Sequence, residues 1–172
     1  MPNVESRSTL ADVNQRPAST REERLAAHLG MVLALRYALP GAAGEAGKRL
    51  VALLDDANAH VRGAALRALH GPRPPQALPK LRALLETGRR GVAREVFALI
   101  GAIGTPEAKA LLTQQLQAVL DGDAHADNLL PALGAFEQAT GQQFLRSGAG
   151  SADHYRDAAR RALEWWRKQN PA

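Results

Sequence analysis

The chain has no cysteine, which excludes disulfides, thiolate nucleophiles and cysteine-ligated zinc. Aromatic residues are also scarce, at 4% of the composition. Val, Ile and Tyr, which strands favour, are few; the apolar content is mostly Ala and Leu, both strong helix formers. The longest apolar stretch, Leu29 to Leu35, is too short to cross a bilayer. Met1 to Ser6 show neither a basic n-region nor an apolar h-region, so the expected location is the cytoplasm. Lysine is rare as well: 4 Lys stand beside 18 Arg, with a net charge of +5 and a pI near 10.2. That balance permits nucleic acid, an acidic protein or an anionic membrane as partner without selecting among them. A GC-rich genome also produces an Arg- and Ala-heavy chain.

The motifs of catalysis and ligand binding are missing too. No two of His28, His60, His70, His125 and His154 lie three or four residues apart, so no helical metal pair exists. No serine sits in a Gly-x-Ser-x-Gly elbow. Gly41, Gly44 and Gly47 recur every third residue, which fits neither the dinucleotide fingerprint nor the P-loop, and reads as a loose linker. The run Asp121 to Asn128 alternates acids like a calcium loop. Counted from Asp121, however, Ala126 and Ala132 stand where such a loop needs Gly and a bidentate Glu, so a capping turn is expected. No catalytic, cofactor-binding or metal-binding residue is assigned, no cofactor is expected, and the chain is not expected to be an enzyme.

The 172 residues are 45% hydrophobic and 23% charged, enough for one compact domain or a short solenoid. Residues 1–19 are polar, carry Pro2 and Pro17, and read as a flexible tail. A helix is expected to start at Ser19-Thr20, each with a Glu three residues on, and to stop at Pro40-Gly41.

After that the chain repeats itself. Leu50, Leu54, Val61 and Leu69 are each followed, 31 residues later, by Leu81, Leu85, Val92 and Ile100. In the first unit, Leu50, Leu53 and Leu54 form the stripe of one amphipathic helix, and Val61, Ala65 and Leu69 that of a second. Asp55, Asp56 and Asn58 suit the connection in one unit, and Gly88 in the other. A third unit follows, with Thr105 as N-cap, Pro106 at the first helical position and a return helix from Asn128 to Glu137. Ser147 to Ser151 reads as a loop, and a last helix covers about 152–168. One helix pair cannot bury its own stripe, so pairs must stack. The expected fold is all-α: a short right-handed α-solenoid, or α-α superhelix, of stacked antiparallel helix pairs with about seven or eight helices. Residues 20–168 form the repeat domain, and helix 152–168 caps it.

Leu53-Leu54-Asp55-Asp56, then Val61-Arg62 and Ala65, Ala68 and Leu69, resemble the core pattern of HEAT repeats. Gly104-Thr105-Pro106-Glu107-Ala108 is similar to the inter-repeat turn of bacterial HEAT-like proteins. Thr140-Gly141-Gln142-Gln143-Phe144 with Trp165-Trp166 resembles a C-terminal closing segment of such arrays. The resemblance runs from about Ala43 to Trp166 and departs from the pattern at Ala93, where Arg is expected. It implies a scaffold or binding surface lined by the second helices. Two catalytic sets share the resemblance: bilin lyases with HEAT-like repeats and alkylpurine DNA glycosylases built from HEAT-like helices.

Arg62, Arg67, Arg89, Arg90 and Arg94 fall at or near the second helices of successive units and are the candidate partner-binding residues. Arg62 has a second reading, as the partner of an acidic turn residue such as Asp56. The last helix carries Arg156, Arg160, Arg161, Arg167 and Lys168 beside Trp165 and Trp166, but Asp157 with Arg161 and Glu164 with Lys168 are spaced to pair. Capping is therefore its expected role, with one Trp buried and the other partly exposed. The leading function is a non-catalytic module that binds a protein. Nucleic-acid recognition by the Arg residues is the alternative, and a bilin-lyase role is weakened by the shortness of the array. The sequence leaves the oligomeric state open.

Overall fold

The computed structural model describes Gly30 and residues 43–87, 90–145 and 150–171. The expected tail and the helix expected from Ser19 to Pro40 lie outside these residues, apart from Gly30, which is helical. Among the described residues there are seven α-helices and no strand: α1 (Ala43–Ala52), α2 (Ala59–Ala68), α3 (Leu78–Glu86), α4 (Arg90–Ile103), α5 (Pro106–Asp121), α6 (Leu129–Thr140) and α7 (Ala152–Gln169). None is long and apolar enough to cross a membrane.

The helices form three pairs, α1/α2, α3/α4 and α5/α6. Within each pair the helices touch, and the second helices stack on one another in the order α2, α4, α6. The helix α7 lies against α5 and α6. The repeat read from the sequence is the burial pattern of this stack. Leu50, Leu54, Val61 and Leu69 are buried, and so are their counterparts Leu81, Leu85 and Ile100, while Val92 is half-buried against the core. Each fully buried Leu or Ile contributes about 1.5–3 kcal/mol relative to exposure, so the rows hold the pairs together.

The third unit continues the rows with one change. Its first helix keeps the 31-residue step, since Leu81 and Leu85 recur as buried Leu112 and Leu116. Its second helix is displaced by 36: Val96, Phe97, Leu99 and Ile100 recur as Ala132, Leu133, Ala135 and Phe136, all buried. Five extra residues therefore lie between Leu116 and Ala132.

Local signals set the helix ends. Asn58 caps α2 by accepting the His60 N–H at 2.9 Å, and Asp56 Oδ1 accepts the Asn58 N–H at 2.7 Å. Thr105 caps α5 by accepting the Ala108 N–H, with Pro106 in the first turn. Glu107 sits beside it. The backbone N–H of Glu107 and then the Thr105 side chain hold its carboxyl below the ordinary glutamate value. Gly44 and Gly47 are a correction to the linker reading, because both lie inside α1. The helix tolerates Gly47 because that face meets the proline-rich connection: a Cβ there would stand 3.1 Å from Pro74 Cβ.

The closest approach in the stack is between α4 and α6. A Cβ on Gly101 would lie 2.7 Å from the Ala135 carbonyl oxygen and 3.0 Å from its Cα. Only glycine allows the two backbones to come this near.

The C-terminal end is closed by aromatics. The Phe136 ring meets Phe144, Trp165 and Trp166 at centroid distances of 6.0, 6.2 and 6.0 Å, with both Trp contacts edge-on. Glu137 Oε1 accepts the N–H groups of Phe144 and Leu145 at 2.5 and 2.6 Å, and Arg161 donates to the Phe144 carbonyl at 3.0 Å. Two details differ from expectation. Both Trp residues are half-buried, because each shares one Phe136 ring. Asp157 pairs with Arg160, not Arg161, because Arg161 is held by the Phe144 carbonyl.

Candidate partner-binding groove

Of the five Arg residues expected to form one surface, Arg62, Arg67 and Arg94 have described side chains, and their settings differ. Arg62 Nη1 donates to the carbonyls of Asp56 at 2.7 Å and Ala57 at 3.0 Å, so it ties down the turn between α1 and α2. Arg67 and Arg94 are exposed and make no ion pair among the described residues. They also occupy different rows: by the 31-residue step Arg94 corresponds to Gly63, and Arg67 to Ala98. Arg89 and the side chain of Arg90 lie outside what the structure describes.

A groove of about 570 Å³ opens where the second and third units meet at their turns. Its walls are the C-terminal end of α3, the start of α4, the last turns of α5 and the connection into α6. The five extra residues of the third unit build its far side. They prolong α5 past the point matching the end of α3, until Gly122 stops it at φ +88°. A left-handed residue here lets the chain reverse: Asp123 and Ala124 both donate their N–H groups to the Ala118 carbonyl, at 2.8 and 3.1 Å. His125 then opens a 3-10 turn, Ala126–Asn128, that leads into α6.

The floor is apolar, formed by Leu84, Leu85, Ala93, Ala118, Leu130 and Pro131. Among the described residues Leu130 is the only large apolar side chain left exposed, at 41%. Among the described residues the charged side chains that line it are Glu86, Asp123, Asp127 and Arg94, all exposed at its rim, with Gln115, His125 and Asn128 adding polar groups. Arg94 is thus the one member of the Arg set with a described side chain in the groove. Leu130, Asp123 and Asp127 were missed by sequence reasoning. The signal that locates them is the change from a 31- to a 36-residue step, which marks inserted residues at one turn.

A search of the described residues found no cluster of His, Asp and Glu suited to a metal ion. Residues 47–126 match the family model described as HEAT repeats. That stretch of the chain has the pattern of HEAT repeats. The match runs from within α1, through α2, α3, α4 and α5, to the start of the turn that leads into α6. HEAT repeats commonly mediate protein interactions, and the family is generally non-enzymatic. Comparison with curated proteins and with solved structures gave no match. In HEAT terms the rows Leu50/Leu81/Leu112 and Leu69/Ile100/Phe136 are the inter-repeat core, and the groove lies between two consecutive repeats at their turns.

Proposed function

We propose that this HEAT-repeat chain is a non-catalytic interaction module that binds a protein partner through the groove between its second and third units. One observation carries the reading: an apolar groove of about 570 Å³ has an exposed Leu130 in its floor and charge only around its rim. An apolar centre ringed by polar groups is the anatomy of a protein-binding hot spot. Among the described residues the other large apolar side chains are buried or half-buried, so the most exposed of them lies in this groove. Arg94 belongs to the proposed surface. Arg62 supports the local fold, since its guanidinium is already spent on two carbonyls. A cytoplasmic scaffold role belongs to the same proposal.

The test is a pull-down from native lysate with wild type, Leu130→Asp and Arg67→Glu in parallel, with and without nuclease. A protein retained by wild type and Arg67→Glu, lost by Leu130→Asp and indifferent to nuclease is the expected result. Loss of binding on nuclease treatment and in Arg67→Glu would transfer the reading to nucleic acid.

A further inference from the structure

The described rim of the groove runs against the charge of the chain that carries it. The whole chain has a net charge of +5, yet among the described residues the groove is lined by the carboxylates of Glu86, Asp123 and Asp127 and by one guanidinium, that of Arg94. Glu86 is partly answered by Arg82 at 3.3 Å. Asp123 and Asp127 make no ion pair among the described residues and flank the apolar floor. Both come from the lengthened connection between α5 and α6, so that connection supplies the wall and the negative charge together.

We infer that the occupant is a short basic segment of a partner protein, one that sets an apolar anchor residue beside a Lys or Arg; this rests on the interaction-module reading above. The anchor seats against Leu130 and Leu84. The neighbouring cation meets Asp123 and Asp127, where it is steered by opposite charge. Arg94, across the groove, presents up to five N–H donors, which suit a main-chain carbonyl or a carboxylate of the same segment. The volume fits the small-pocket range of roughly 300–1,000 Å³, so the segment contributes a few side chains rather than a broad face. Phosphate-rich or acidic partners are disfavoured here, because they would bring like charge to Asp123 and Asp127.

The experiment is a selection of random peptides of about twelve residues, a length that spans such a groove when extended, displayed against the full chain. Enriched peptides are then titrated by fluorescence anisotropy against wild type, Asp123→Lys/Asp127→Lys and Leu130→Asp, each variant first shown by circular dichroism to keep its helices. Enriched peptides should carry Lys or Arg within a helical turn of a large apolar residue. Their binding should weaken roughly tenfold or more in each variant and fall as salt rises from about 50 to about 300 mM. Exchanging the peptide's cation for Glu should restore binding to Asp123→Lys/Asp127→Lys while abolishing it for wild type.

Peptides that are neutral or acidic, and that bind wild type and the double variant equally, would overturn the inference; if they still need Leu130, the interaction-module reading survives. Enriched peptides indifferent to both substitutions would overturn both. A chain that dimerises in solution, and becomes monomeric with Leu130→Asp, would assign the groove to a second copy and also overturn the inference. So would a selection that enriches nothing.

Discussion

The two junctions between units differ more than the units do. The first and second are joined by Leu69 to Ala77, a stretch with Pro72, Pro74 and Pro75 and with Arg73 at φ +47°, a left-handed conformation unusual for a side chain other than Gly, Asn or Asp. Across it, His70 Nε2 comes within 3.2 Å of Glu95 Oε1 yet is shielded from solvent without a well-aligned hydrogen bond. The second and third units are joined by Gly104 and Thr105 alone, and their second helices approach so closely at Gly101 and Ala135 that no Cβ fits between them. The same buried rows cross both junctions. Cohesion between neighbours in a stacked array therefore depends on junction length and on small residues at the contact, as well as on the rows. The array is held more tightly on its C-terminal side.

The sharpest way to break this contrast is to place a charge in each row. Ile100 belongs to α4, which touches both neighbours, so Ile100→Asp should cost more than about 4 kcal/mol and leave no cooperative calorimetric transition. Leu69→Asp should also end the single cooperative transition of the chain. It should nevertheless leave slowly exchanging amides in α5 to α7 by hydrogen exchange. A wild-type melting curve for Leu69→Asp would show that the repeat register is wrong.

Glycine substitution sharpens the comparison at lower cost. Gly101→Ala should destabilise by about 1–3 kcal/mol in denaturant melts, because the Ala135 backbone has to move. Gly63→Ala should stabilise by up to about 1 kcal/mol: it is helical, and the nearest atom to an added Cβ is the Arg67 guanidinium at 3.6 Å. Equal effects at the two sites would remove the argument for a specially close α4–α6 contact. At the looser junction, Arg73→Gly should raise stability by about 0.5–1 kcal/mol by relieving the left-handed backbone. A loss there would mean that the Arg73 Nε bond to the His70 carbonyl, 3.0 Å long, outweighs the strain.

The smallest effect belongs to Glu107 at the tight junction. Its carboxyl titrates below the ordinary value of 4.5 in the folded chain, so its stabilisation is fully present above that pH. It is lost as the pH falls from there through the lowered folded value. Glu107→Gln should lower stability slightly at neutral pH, where this contribution is present, and leave stability almost unchanged below the lowered folded value; an equal loss at neutral and acid pH would contradict this assignment.

The fold was legible because burial recurs. Leu50, Leu81 and Leu112 stand in one row, and a period of 31 residues is visible in the letters themselves. Caps were legible for the same local reason, as at Thr105-Pro106. The groove was not legible as a site, since it is made where the period fails, and an insertion has no counterpart against which its role can be read. Leu130 looked like one more apolar residue of a helix. The sequence did not separate the settings of Arg62 and Arg94: one is committed to the carbonyls of Asp56 and Ala57 and the other opens onto the groove. Gly44 and Gly47 were read as a linker because a glycine that accommodates Pro74 looks the same as one that loosens a chain.

The aromatic closure has an optical consequence. Both tryptophans of the chain lie in α7 against one phenylalanine ring, so all of its intrinsic indole emission originates at a single end of the array. Emission and helical ellipticity thus watch different parts of the same molecule. If the two heating curves coincide, the far end and the whole stack come apart together; if ellipticity falls first, fraying has begun at the end the tryptophans cannot see.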